Sequence, residues 1–179
     1  SEEEEVEELL RRNRKKAEEV DREIDRLLKE VEKLVKDSRK RIEDLLRRAR
    51  EKVEDLRRKG DVSEEVLKRA EDLLREIEEK VERIHETTKK VLEDLKRRVE
   101  EVLRDNERLI RELEKIVRAG KRDVREISEE IERITRETED RIRKIAEEIR
   151  RVLKRHKELI EELEKEIRDV LKKLDDDVR

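Results

Sequence analysis

The fold class the chain predicts is all-α: a single-chain antiparallel three-helix bundle of long, nearly straight helices running up, down and up. Three observations carry that prediction. Apolar residues recur at alternating steps of four and three along almost the whole sequence, which is the spacing of one face of an α-helix. The only 2 glycines, Gly60 and Gly120, divide the 179 residues into three segments of similar length. Proline, which would interrupt a helix interior, is absent, as are Phe, Trp, Tyr, Cys and Met. One bundle over residues 1–179 is expected, with helix 1 about 2–59, helix 2 about 62–119 and helix 3 about 123–175.

The first segment opens with Ser1 as N-cap, Glu4 three residues on, and an acidic first turn that suits the helix dipole. Its apolar stripe runs through Val6, Leu10, Ile24, Leu28, Ile42, Leu46 and Val53, and the phase returns from Val6 to Ile24 to Ile42. Five turns in about 18 residues is the period of an unstrained α-helix, whereas a heptad repeat would impose a left-handed supercoil. Leu9, Leu27, Leu34 and Leu45 widen the stripe enough to face two neighbours. Gly60 is the expected left-handed C-cap, followed by Asp61 and Glu64 as a capping box, with Ser63 as the alternative cap. The second break, Gly120-Lys121-Arg122-Asp123, repeats the device, with Asp123 as cap and Glu126 three residues later. Both connections are short, so neighbouring helices must be antiparallel. Segments two and three keep the phase, through Val81, Val99 and Val117 and through Val124, Ile142 and Ile160. Helices of this length would span on the order of 80 Å.

Charge composition excludes several classes of function. Asp, Glu, Lys and Arg make up 61% of the chain, against roughly 25% in an ordinary domain. The 53 basic and 56 acidic residues nearly cancel, and the regular spacing of the 31% apolar residues is what a packed chain requires and a disordered one lacks. Basic and acidic residues alternate and no aromatic is available to stack on bases, so no nucleic-acid partner is expected. No apolar run is long enough to cross a bilayer, and the acidic start Ser1–Glu5 is unlike a signal peptide. No membrane partner and no targeting are expected.

Several polar residues stand where the stripe calls for an aliphatic one: Asn13, Ser38, His85, Thr88, Asn106, Thr135, Thr138 and His156. Antiparallel pairing of the apolar residues (Leu56 with Leu67, Ile42 with Val81, Ile24 with Val99; Val117 with Val124, Val99 with Ile142) fixes a registry. Carried through, it sets Ser38 and His156 opposite His85, and Asn106 opposite Thr135. Asn13, Thr88 and Thr138 then lie about a turn from those layers. An unpaired buried polar group costs roughly 1–3 kcal/mol, so grouped misfits point to hydrogen-bond networks. Each also has a plainer reading: Ser and Thr often bond their own i−4 carbonyl, and Asn13 near an end could face water. Thr87 and Ser128 lie on or beyond the edge of the stripe.

Two histidines without a core carboxylate or cysteine make half a zinc site, so no metal or other cofactor is expected. Ser38 and His85 share a layer as a nucleophile and base would, but with no acidic orienter and no oxyanion hole. No enzyme activity is expected.

The single-glycine capping loops, the helical phase, the absence of aromatics and the core Asn, His, Ser and Thr clusters together resemble computationally designed helical bundles with built-in hydrogen-bond networks. The resemblance covers the whole chain, in style and not in any motif. It implies polar layers that set registry and partner specificity, and buried histidines of a kind sometimes used for pH sensitivity. The reading is therefore a structural scaffold without natural biochemical activity. It is expected to be a soluble monomer that needs no partner, with no natural location, and cytoplasmic when expressed recombinantly. The alternative is an engineered pH-responsive bundle, or an assembly component, in which His85 and His156 destabilise the fold on acidification. A charged outer face on every segment argues against the assembly role.

Overall fold

The structure is a computed structural model that describes residues 1–120 and 123–178. Three helices account for nearly all of them: α1 (Glu2–Lys59), α2 (Glu64–Ala119) and α3 (Val124–Asp176). Among the described residues there is no strand. Lys121 and Arg122, within the second predicted break, lie outside the described residues.

The helix ends follow from local chemistry. The Glu4 N–H donates to Ser1 Oγ at 3.3 Å. Gly60, at φ 68°, closes α1 by donating its N–H to the Leu56 carbonyl at 3.0 Å, the single-bond left-handed termination. Gly120, at φ 64°, donates to the Val117 carbonyl at 3.1 Å. Asp123 heads α3, where its Oδ1 accepts the Arg125 N–H at 3.1 Å.

The start of α2 corrects the sequence reading. Helix begins at Glu64, not at 62, and the cap is Ser63, not Asp61: Ser63 Oγ accepts the Val66 N–H at 3.4 Å and its carbonyl accepts the Leu67 N–H at 3.2 Å. The physical reason lies one residue to each side. With Ser63 as cap, Val62 precedes it and Leu67 sits in the first turn, and both are buried in one apolar cluster, the staple arrangement that fixes the entry of the chain. A cap at Asp61 would have turned Val62 into the first helical residue and lost that contact. Arg57 adds an ionic tie here, meeting Glu54 on its own helix and Glu64 and Glu71 on α2. These carboxylates, Glu71 first and Glu64 next, raise the guanidinium further above its ordinary range.

Two compact units share the three helices. The first comprises Ser1–Lys29 and Val91–Arg151, the second Glu30–Lys90 and Val152–Arg179. In the first, Val6 and Leu10 of α1 pack with Ile110 and Leu113 of α2 and with Ile127, Ile131 and Ile134 of α3. The start of α1 thus meets the end of α2 and the start of α3, as an up-down-up bundle requires. In the second, Ile42, Leu46 and Val53 pack with Leu67, Leu74 and Val81 and with Ile160, Leu163 and Leu174. Each such side chain stabilises the fold by roughly 1.5–3 kcal/mol relative to exposure. Ala17, Val20 and Val35, at the same helical spacing along α1, are only half-buried.

Candidate functional site: two buried polar clusters

Each unit contains one of the polar groups that interrupt the stripe. In the first unit, Asn13 and Asn106 are both 2% exposed and face each other across α1 and α2. Their amides bond reciprocally: Asn13 Nδ2 donates to Asn106 Oδ1 at 3.0 Å, and Asn106 Nδ2 donates to Asn13 Oδ1 at 2.8 Å. The second Asn13 proton goes to Thr135 Oγ1 at 2.8 Å, and Thr135 donates to the Ile131 carbonyl at 2.8 Å. Thr138 Oγ1 donates to Asn106 Oδ1 at 3.0 Å. Four of these bonds join the three helices and the fifth ties Thr135 to its own helix, in a consistent donor-to-acceptor order. Because an amide has two donors and an oxygen that accepts twice, only Asn or Gln can serve as such a hub.

In the second unit the bonding is sparser. His85 is held by backbone: its Nδ1 lies 2.7 Å from the Val81 carbonyl one turn back, and its Nε2 lies 3.4 Å from the Val35 carbonyl of α1. Thr88 Oγ1 meets His156 Nδ1 at 3.2 Å. The two imidazoles stack edge to face, with centroids 5.6 Å apart and planes at 90°. His156 is 1% exposed and its Nε2 has no hydrogen-bond partner. Burial, and next the charge that His85 can carry, lower the His156 pKa to about 4.

Three side-chain atoms are buried without a hydrogen bond among the described residues, and all three belong to this second unit: Ser38 Oγ, His156 Nε2 and Glu164 Oε1. Glu164 is compensated by charge, since Arg41 stands 3.1 Å away without hydrogen-bond alignment. The other two are not.

The registry read in the sequence brings the right residues together, with His85 against His156 and Asn13, Asn106, Thr135 and Thr138 in one group, but the individual hydrogen bonds differ from a strict layer pairing. Asn106 bonds Thr138, not Thr135, and His156 bonds Thr88, one turn from the pairing with His85 that the apolar residues implied. A layer between antiparallel helices spans two successive core positions, and the side chain that reaches diagonally makes the bond. Thr135 instead serves Asn13. Ser38 joins no network: His85, the partner expected for it, directs both ring nitrogens at carbonyls. Sequence reasoning did not anticipate the Val81 and Val35 carbonyls as partners, because main-chain acceptors leave no mark on residue type.

The fold and its clusters define a class: an all-α three-helix bundle with buried hydrogen-bonded polar side chains. No family model, curated protein or solved structure matches the chain. No helix among the described residues is long and apolar enough to cross a membrane, and no group of three or more potential metal-ligating side chains occurs among them.

Proposed function

We propose that the chain is a de novo structural scaffold without catalytic activity, in which buried polar side chains specify how the helices register. The observation that carries this reading is the reciprocal Asn13–Asn106 amide pair with Thr135 and Thr138 attached. Aliphatic residues tolerate a one-turn slip of one helix against its neighbour, since another aliphatic residue arrives in the same place. Paired amides do not, because a slip leaves several donors and acceptors unpaired at roughly 1–3 kcal/mol each. Polar core residues used in this way disfavour alternative packings at some cost in stability.

The test is to replace Asn13 and Asn106 by Leu and Thr135 and Thr138 by Val. Disulfide trapping between cysteines at positions 14 and 107, an ion-paired position on α1 and α2, then reports register. Stability is expected to hold or rise while trapping spreads to cysteines one turn along α2. Trapping that stays confined to the original pair would defeat the registry role. Light scattering is expected to give the mass of one chain, and a larger mass would instead favour an assembly role.

A second reading, an acid-responsive bundle, is favoured by His156. Its pKa of about 4 in the fold lies below the unfolded value of about 6.5. The contribution to stability is therefore fully present above pH 6.5 and is lost as pH falls through the interval down to 4, where the unfolded chain binds more protons. The full difference is worth about 3 kcal/mol. Guanidinium midpoints at pH 7.4 and 4.5, for this chain and for a variant with both histidines changed to Leu, test it. Equal acid sensitivity in the two proteins would leave the histidines a purely structural part.

A further inference from the structure

We propose that the two histidines of the second unit play different parts: His85, whose two ring nitrogens both face carbonyls, ties α2 to α1, whereas His156, whose Nε2 faces no acceptor, takes a second proton only by leaving its site, so that His156 alone links acid to the opening of this unit. The proposal rests on the acid-responsive reading and assigns it to one residue.

The geometry around His85 is the first support. A carbonyl only accepts, and a neutral imidazole has a single N–H, so it can satisfy one of the two carbonyls it faces. The 2.7 Å contact with Val81 takes that proton, and Nε2 is left with its lone pair toward the Val35 oxygen at 3.4 Å. An N–H on either ring nitrogen of His85 thus finds a carbonyl, one on α2 and one on α1. His85 is 7% exposed and its Nε2 contact is only partly buried.

His156 is the opposite case. Thr88 meets its Nδ1, and no acceptor stands at Nε2. A second proton there would put a charge at a buried nitrogen with nothing to receive its N–H, edge-on to His85. No other ionisable group compensates. On α1, Asp37 and Arg39 are exposed, and Arg39 is paired with Glu82. On α2, Arg83, Glu86 and Lys89 are exposed, with Glu86 paired to Lys90. On α3, Arg155 and Lys157 are exposed, and Arg155 is paired with Glu158. The group that acts electrostatically on His156 is His85, and it opposes a second charge.

The experiment compares His85→Leu, His156→Leu and the double variant with the unchanged chain by guanidinium unfolding at pH 7.4 and 4.5. Carboxylate titration is common to all four and cancels. From the His156 value of about 4, its share of the drop in the folding constant is roughly 70-fold. The unchanged chain is expected to show this drop and His85→Leu a somewhat smaller one, since burial remains and only the opposing charge is gone, while His156→Leu and the double variant lose it. If His156→Leu does not fold at pH 7.4, His156→Gln takes its place with the same expected result. Loss of the drop in His85→Leu, alone or equally with His156→Leu, overturns the division while leaving the acid response standing. The same drop in all four chains overturns the acid response itself. Amide exchange supplies a separate readout: at pH 4.5 protection is expected to fall around Ile160 and Leu163, and equal loss around Ile131 and Ile134 would count against an opening confined to the second unit.

Discussion

The two polar clusters are built from similar materials and reach opposite outcomes. In the first unit, two amides and two hydroxyls close on one another, and the only backbone group they use is the Ile131 carbonyl. In the second, two imidazoles and two hydroxyls yield one side-chain bond, two contacts with carbonyls and two orphaned atoms. The difference is one of valence. An amide offers donors and acceptors in one plane on a short arm, so two of them pair as a ring and still have capacity left. A neutral imidazole has one donor and one acceptor on opposite edges, and when it turns one edge to the backbone it has little left for a neighbour. The first cluster is therefore closed by its own side chains, while the second keeps a buried imidazole nitrogen without a partner.

That contrast is most directly broken by removing one hub from each unit. Asn106→Leu strips Asn13 of both reciprocal bonds and leaves the Thr138 hydroxyl without its acceptor, and a loss of about 3 kcal/mol is expected in chemical unfolding at pH 7.4. His156→Leu at the same pH is expected to cost at most about 1 kcal/mol, because the unpartnered Nε2 is removed and only the Thr88 hydroxyl loses a partner. If the two substitutions cost the same, the distinction between a closed and an open cluster has no energetic content.

Thr138→Val sharpens it within the closed cluster. The shape is kept and one donor to Asn106 Oδ1 is removed, while the bond to that oxygen from Asn13 remains. About 1 kcal/mol is expected, visible as a lower guanidinium midpoint at unchanged slope. A cost near that of Asn106→Leu would mean the network fails as a unit when any member is lost.

How much of this was legible in the sequence differs by level. The helices, their two glycine terminations and the aliphatic cores follow from spacing, because burial of a stripe is a property of residue type and period. The residues that would be buried and polar were legible for the same reason: Asn13, Ser38, His85, Thr88, Asn106, Thr138 and His156 are buried, and only Thr135 is half-buried. Their partners were less so. A registry taken from aliphatic pairs locates a layer, but it cannot separate Thr135 from Thr138, one turn apart on the same face, as the bond to Asn106. Nor could it reveal that His85 turns to the Val81 and Val35 carbonyls and away from Ser38. The cap of α2 was decided by packing: Asp61 and Ser63 are both good N-caps, and the burial of Val62 with Leu67 selects the second. Ser63→Ala is accordingly expected to cost about 1 kcal/mol. Asp61→Ala should stay within about 0.5 kcal/mol. Thermal unfolding of the two variants side by side separates them, and a larger effect at Asp61 would return the cap to it.

The smallest expected effect tests the open cluster at its weakest point. Ser38 is 1% exposed, and its Oγ has no hydrogen bond. Two contributions oppose each other in Ser38→Ala. Removing the hydroxyl ends the desolvation cost of an unpaired polar atom, which mutational data place at about 1–3 kcal/mol. It also leaves a small gap, since the atoms lost are not replaced and the surrounding helices relax only in part. The missing volume is a single oxygen, so the polar contribution should win, and a gain of about 0.5 kcal/mol is expected at pH 7.4. The hydroxyl deletion in the closed cluster, Thr138→Val, should go the other way, because there the hydroxyl is bonded. Opposite signs for two hydroxyl deletions, measured under one set of conditions, would show that what matters for each buried polar atom is whether its bonds are made. A loss of stability for Ser38→Ala would mean instead that its hydroxyl has a partner in solution, and that the second cluster is more nearly closed than its geometry indicates.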